Sequence, residues 1–249
     1  MDTQDKKISF SGSGLLFAAI LGASVLLSVG ISLYTYYRVR SLDDTVSTTG
    51  SAKQLITSDT VKWTSQVSRN VKVSKLSVGY TELAKDLDTV KKFLVSKGIP
   101  ENTLIISAVS QEQNYDIRPE LGQEKEYILR QTIEINSSDV AGISALSKDS
   151  SVIINQGINF TTTTLEYFYT KLSDVRVALL SDAIKDARVR AEKMVEGTGR
   201  KIGVMKSTSS GVVQVMPVNS VDVSDYGTYD TSHIDKEVTI TVRSTFSLK

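Results

Sequence analysis

The stretch SDAIKDARVRAEKMVEGTGRKIG, residues 181–203, contains the pattern that decides the fold. Ala183, Ala187 and Ala191 recur at every fourth position among charged side chains, and three glycines follow them. Residues four apart share one face of an α-helix, so the alanines form a narrow apolar stripe while the charged flanks stay in water. Glycines just after residue 196 end such a helix and turn the chain. The stretch therefore predicts a charged helix that packs closely onto a sheet.

Periodicity extends this prediction to the rest of the soluble part. Apolar residues at helical spacing predict helices over residues 76–97 and 165–196, the second beginning its stripe with Leu165 and Phe168, and a short helix after Asp139. Alternating apolar and polar residues predict strands over residues 61–68, 105–113, 127–135, 153–163, 201–209 and 238–246. The order indicates two similar β-α-β-β halves, residues 60–136 and 152–248. We expect the α+β class, with helices packed on a mainly antiparallel sheet.

The first forty residues are of a different kind. No charged residue lies between Lys7 and Arg38, and residues 15–37 are almost wholly apolar or small. As a helix this segment is about 34 Å long, enough to cross a bilayer core of about 30 Å. Three tyrosines and two arginines at its end are typical of a membrane interface. The competing interpretation, a cleaved signal peptide, usually has a shorter apolar region.

The resulting domain organisation has four parts. We expect a short cytoplasmic tail over residues 1–14, a transmembrane helix in contact with membrane lipid over residues 15–37, a linker over residues 38–50 and a folded domain over residues 51–249. A short N-terminal tail favours a domain on the extracytoplasmic side, although the flanking positive charges are nearly balanced.

Composition excludes several functions. The net charge is +1, which gives no field for nucleic acid, and there is no cysteine and one histidine, His233. This excludes disulfides, thiolate metal sites, thiol nucleophiles and histidine-rich metal sites. No nucleophile elbow accompanies His233, and the glycines after residue 196 follow a helix, the reverse of a phosphate-binding loop. We therefore expect no catalytic residues, no cofactor, no metal and no small-molecule substrate; a hydrolase with an unrecognised site is a minor alternative.

Residues 209–235 form a long connection between two predicted strands. Four apolar residues in it are candidate contacts between subunits: Val213, Val215, Met216 and Val218. Loops of this length are usually functional or disordered, so an exposed ribbon that docks on a neighbouring subunit is one interpretation. The other is a longer β-hairpin on the same sheet.

Several segments together resemble the SIMPL-domain family over about residues 50–249. The residues that carry the resemblance are Ala183, Asp186, Ala187, Arg190, Ala191, Gly199 and Gly203, supported by residues 50–63, 91–104 and 157–160. The resemblance implies a bacterial envelope protein, with relatives that form ring- or channel-shaped homo-oligomers, and it carries no catalytic residues. Some relatives are linked to oxidative-stress defence.

These observations lead to two expectations of function. The first is a non-catalytic protein that is anchored in the bacterial inner membrane and holds its domain in the periplasm. It assembles into a homo-oligomeric ring or cage, and the resemblance implies a link to envelope or oxidative stress. The second is a monomeric, membrane-tethered module that binds a ligand or a protein partner. The mass of the particle in mild detergent separates the two.

Overall fold

The computed structural model describes residues 12–41, 44–117, 122–149, 151–222 and 224–249. The chain starts there with one long helix, α1 (Gly12–Ser41), and continues into strands and shorter helices. The strands are β1 (Thr45–Thr57), β2 (Thr60–Lys72), β3 (Leu104–Ile106), β4 (Ser110–Gln113), β5 (Glu126–Ser137), β6 (Asn159–Phe168), β7 (Ile202–Ser210), β8 (Gln214–Pro217), β9 (Thr228–Tyr229) and β10 (Asp235–Leu248). The other helices are α2 (Leu76–Ser96), α3 (Val140–Leu146), α4 (Ser151–Ile154) and α5 (Leu172–Glu196).

The strands form two five-stranded sheets, and the predicted α+β class is confirmed. One sheet has the order β3-β5-β2-β6, with β4 beside β5. The other has the order β1-β10-β8-β9, with β7 beside β10. β2 pairs antiparallel with both β5 and β6, whereas β9 pairs parallel with β8. The structure thus has two sheets where one was expected. The predicted halves 60–136 and 152–248 do not match these sheets, because β6 joins β2 and β5 whereas β1 joins β10.

The main core lies between the first sheet and α2. On β2 the alternation places Val61, Trp63 and Val67 inside, each at most 1% exposed. Leu83 and Val90 on α2 are fully buried in the same cluster, as their helical spacing predicts. Arg69 on β2 binds α2 through its guanidinium, which donates to both Asp86 carboxylate oxygens at 2.8 Å. Gly98, with φ of 91°, follows the end of α2, as predicted.

The chain divides into two units. The anchor unit comprises Met1–Gly50, Ile184–Ser209 and Val242–Lys249; the core unit comprises Ser51–Ala183 and Ser210–Thr241. In the anchor unit, backbone hydrogen bonds join the end of β10 to a chain segment on each of its two sides. The Leu248 amide donates to the Asp44 carbonyl at 2.9 Å, and Lys201 and Lys249 exchange two backbone hydrogen bonds of 2.8 and 3.0 Å.

The long helix begins later than its spacing predicts. The spacing predicts Leu165 and Phe168 in its stripe, but both lie on β6, where Trp63 pairs with Leu165 and Thr60 with Phe168. A turn then separates β6 from α5. The Asp59 carboxylate fixes it, because it accepts hydrogen bonds from the Thr170 amide at 2.9 Å and the Thr170 hydroxyl at 2.7 Å.

Three shorter predictions also differ from the structure. β1 begins at Thr45, inside the interval assigned to a linker, because threonine-rich polar segments suit an exposed sheet edge. The strand predicted over residues 105–113 is interrupted and forms β3 and β4. The strand predicted from residue 153 begins only at Asn159, after the short helix α4.

Candidate functional site

The alanine stripe of α5 is buried. Ala183, in the core unit, and Ala187 and Ala191, in the anchor unit, are all 0% exposed. An alanine side chain is a single methyl group, so a buried stripe of alanines lets the helix backbone approach its neighbours closely. The stripe therefore contributes close packing, not a reactive group.

The charged residues between the alanines form pairs along the helix. Asp186 accepts from Arg190 at 2.7 Å, and Glu192 accepts from Arg188 at 3.2 Å, in both cases one turn apart. These side chains are between 32% and 59% exposed. Exposed pairs of this kind contribute about 0.3–0.5 kcal/mol each to helix stability. Asp186 and Arg190 of the family pattern thus lie in a solvated ladder.

The two glycines of the family pattern are needed for different structural reasons. Gly199 has φ of 72°, in the left-handed region that favours glycine. Gly203 lies on β7 directly beside the Ser247 side chain of β10, where a Cβ atom would clash with the serine hydroxyl. Both glycines shape the path from α5 into β7.

The segment 209–235 is partly folded onto the second sheet. β8 pairs antiparallel with β10, bringing Val238 opposite Val215. Val215 is 1% exposed, so its side chain is not available to a neighbouring subunit, whereas Val213 and Met216 are half-buried and Val218 is 38% exposed. Among the described residues of the segment, the most exposed apolar side chains are instead Val221, at 92%, and Tyr226, at 96%.

A buried lysine is the feature that sequence reasoning missed. Lys236 on β10 is 0% exposed, and its ammonium group donates to the Tyr167 carbonyl oxygen and lies 5.1 Å from the centre of the Tyr229 ring. Burial lowers the pKa of Lys236, and the nearby Asp230 carboxylate opposes that shift. Extending the β10 alternation back from Val238 would have placed Lys236 on the buried face. The side chain has no exposed surface, and its ammonium group contacts the Tyr167 carbonyl and the Tyr229 ring.

Ser232, His233 and Asp230 lie together, but they do not form a catalytic triad. The Ser232 hydroxyl is 3.0 Å, and the Asp230 carboxylate 3.2 Å, from the same ring nitrogen, His233 Nδ1. A triad needs the nucleophile and the acid on opposite ring nitrogens. Asp230 instead caps a turn by accepting from the Ser232 and His233 amides at 3.2 and 3.1 Å. Partial burial raises the pKa of Asp230, but these hydrogen bonds outweigh it and leave the pKa below its ordinary value.

Two cavities have room for a small molecule. A cavity of about 550 Å³ lies beside the end of α2 and α3, lined by Gly98, Pro100, Asn136, Asp139 and Leu146 among others. Asp139 is already occupied there as the cap of α3, accepting from the Gly142 amide at 2.9 Å. A second cavity, of about 560 Å³, lies in the anchor unit around Arg200. Within the described residues, no group of three or more acidic or histidine side chains could hold a metal ion.

Among the elements in the described part of the chain, α1 has a surface that differs from that of a water-soluble fold. Its span Leu16–Arg40 has a mean hydropathy of 2.3 and 0% of its most apolar window is buried by the rest of the chain. Three serines in it are satisfied internally, for example Ser28, whose hydroxyl donates to the Val25 carbonyl at 2.8 Å. The helix is long and apolar enough to cross a membrane, as an anchor or as a signal sequence.

Comparison with known proteins identifies a family but assigns no activity. The family model SIMPL, described as a protein of unknown function (DUF541), matches residues 46–247. A search of curated proteins finds no match. The match begins at β1 and ends in β10, so it covers both sheets and leaves α1 outside.

Proposed function

The chain belongs to the SIMPL family, and from this premise we propose that it is a non-catalytic protein that is anchored in a membrane by α1 and assembles with copies of itself through its SIMPL domain. The assembly is a closed ring or cage. The membrane is the bacterial inner membrane, with the domain on the periplasmic side.

The uncovered apolar surface of α1 supports the proposal that this helix is a membrane anchor. None of the apolar side chains in the central window of α1 is covered by the rest of the chain. Leu26, for example, is 75% exposed and Phe17 68% exposed. Each such side chain gains about 1.5–3 kcal/mol when it leaves water, so the helix has a strong free-energy preference for a bilayer. Its 30 residues exceed the apolar region of a typical cleaved signal peptide, which supports retention.

Sheet edges support self-assembly. In the described part of the second sheet, β1 lies at one edge and β7 pairs on one side with β10. The outer edges of β1 and β7 therefore present backbone amide and carbonyl groups that a neighbour could pair. Two different edges give a head-to-tail contact, which closes into a ring when the rotation permits. Val204 and Met205 on β7 are 63% and 45% exposed, so each face of the sheet carries an exposed apolar side chain near that edge.

The test combines fractionation and mass. We expect the full-length protein to stay in membranes after alkaline carbonate washing, to keep residues 1–41 by intact mass, and to run in mild detergent as one multimeric species. Release without those residues would contradict anchoring. A monomer at micromolar concentration would contradict assembly.

The cavity beside α2 and α3 favours the alternative, a monomeric tethered binding module. Its volume of about 550 Å³ lies in the range of small-molecule sites. Leu146→Trp would fill part of it. In a binding module this change should abolish ligand-dependent thermal stabilisation; in a self-assembling protein it should leave the multimer unchanged.

The links to envelope and oxidative stress rest on family resemblance and belong to the first proposal.

A further inference from the structure

Charge is divided unequally between the two units of the chain. The anchor unit contains 13 lysines and arginines against 7 aspartates and glutamates, a net charge of +6. The core unit contains 16 against 21, a net charge of −5. The near-neutral total of +1 therefore conceals a basic unit and an acidic unit. The basic one is the unit that contains the membrane-spanning helix.

Covalent connection places part of this basic unit at the membrane surface. α1 ends at Ser41, with Arg38 and Arg40 in its last turn. Asp44 follows three residues later, so its Cα atom lies at most about 11 Å from that of Ser41. The Asp44 carboxylate accepts from the Arg200 guanidinium at 2.9 Å, and its carbonyl accepts from the Leu248 amide at 2.9 Å. The surroundings of Arg200 are thus held within reach of lipid headgroups.

Those surroundings form an open cavity whose charged lining has three basic and two acidic side chains. It has a volume of about 560 Å³, and its charged lining consists of Lys193, Arg200 and Lys201 together with Glu192 and Glu196. Lys249 lies next to Lys201, since the two residues exchange backbone hydrogen bonds. Both glutamates are engaged: Glu196 accepts from Lys193 at 2.9 Å, and Glu192 accepts from Arg188 at 3.2 Å. These exposed pairs are weak and can exchange for a phosphate oxygen.

We propose that the anchor unit binds anionic phospholipid headgroups through the basic residues around this cavity. The inference rests on the membrane anchoring proposed above. Lysine and arginine near a membrane surface are attracted to anionic lipid, and the attraction is additive over several side chains. The tether supplies a high local concentration of headgroups, so a modestly basic site is sufficient. Docking would hold the unit against the membrane.

The absence of cysteine allows a site-specific test in the full-length protein. Val189, which is 55% exposed on α5 in the anchor unit, is replaced by cysteine and labelled with a fluorophore. The protein is reconstituted in nanodiscs of phosphatidylcholine alone, or of phosphatidylcholine and phosphatidylglycerol at about three to one, with a small fraction of headgroup-quencher lipid. We expect stronger quenching in the anionic discs, and loss of the difference at about 1 M salt, where the Debye length is about 3 Å.

Matched substitutions separate local docking from net charge. Replacing Lys193, Lys201 and Lys249 by glutamine should lower the ratio of docked to undocked protein roughly a hundredfold in anionic discs. The control replaces Lys85, Lys125 and Lys148, exposed lysines of the core unit, and should keep the quenching. Equal quenching in both lipids, or equal loss in both triple variants, would overturn headgroup binding and leave the anchor intact. Failure to enter discs at all would overturn both.

Discussion

Gly199 is the residue at which backbone conformation matters most directly. Its φ of 72° costs an L-amino acid about 1–2 kcal/mol. We expect Gly199→Ala to lower the free energy of unfolding by about 1 kcal/mol, and Gly199→Asn to lower it less, since asparagine tolerates this region better. Chemical denaturation followed by far-UV circular dichroism measures the change.

The neighbouring Gly197 provides the control. A Cβ atom there would have no heavy atom within 4 Å, and its φ is not positive. Gly197→Ala should leave stability unchanged or raise it by about 0.4–1 kcal/mol, because alanine restricts the unfolded chain. Equal destabilisation by the two alanines would mean that the φ of Gly199 is not the cause.

Lys236 allows a prediction about pH. Burial holds its folded-state pKa below the ordinary 10.5, so the fold favours the neutral amine. Burying the charged amine therefore destabilises the fold fully below the folded pKa, and this destabilisation disappears as pH rises toward 10.5. Lys236→Met removes the charge and the hydrogen bond to Tyr167 together, and we expect stability within about 1 kcal/mol of wild type at neutral pH. Lys236→Ala leaves a cavity and should cost about 3 kcal/mol.

The fluorescence of Trp63, the only tryptophan, reports this unfolding because the side chain is 1% exposed. Stability of the wild type, but not of Lys236→Met, should rise toward alkaline pH. An identical pH profile for both proteins would show that Lys236 is not the group responsible.

Among the elements, α5 should respond differently to substitutions on its buried alanine stripe and on its exposed face. Ala187 is 0% exposed, and a leucine there must displace its neighbours, at a cost of about 1–3 kcal/mol. Val189→Leu, two residues away at a position 55% exposed, should change stability by less than about 0.5 kcal/mol. Far-UV circular dichroism during thermal unfolding compares the two. Equal tolerance would contradict close packing of the stripe.

Elements with one unambiguous periodicity were predictable from sequence. The buried residues of α2 lie at helical spacing, and the buried positions of β10 alternate strictly from Val238 to Phe246. The boundary between β6 and α5 was not predictable in this way. Leu165, Phe168 and Leu172 fit helical spacing, but Leu165 and Phe168 pair with β2 about a hundred residues earlier in the chain. Such pairing depends on tertiary contacts that local spacing does not contain.

At the scale of the whole molecule, the family, the α+β class and the apolar helix were accessible from sequence, whereas the division into two sheets was not. Strand composition does not specify which sheet a strand joins. The basic and acidic units were hidden for a related reason. The anchor unit is assembled from three separated stretches of chain, so no window of sequence displays its charge of +6.

Assembly through β1 and β7 predicts a specific pattern of cross-links. Thr49 on β1 and Ser207 on β7 are exposed, and the native chain has no cysteine. In a head-to-tail ring, β1 of one copy lies beside β7 of the next, so a protein carrying both Thr49→Cys and Ser207→Cys should give a ladder of multimers with a bismaleimide. Each single variant should stay unlinked, because like edges do not meet. A pair of Ser181→Cys on α5 with Ser207→Cys is the control. A ladder from the control, or none from Thr49→Cys with Ser207→Cys, would contradict edge pairing.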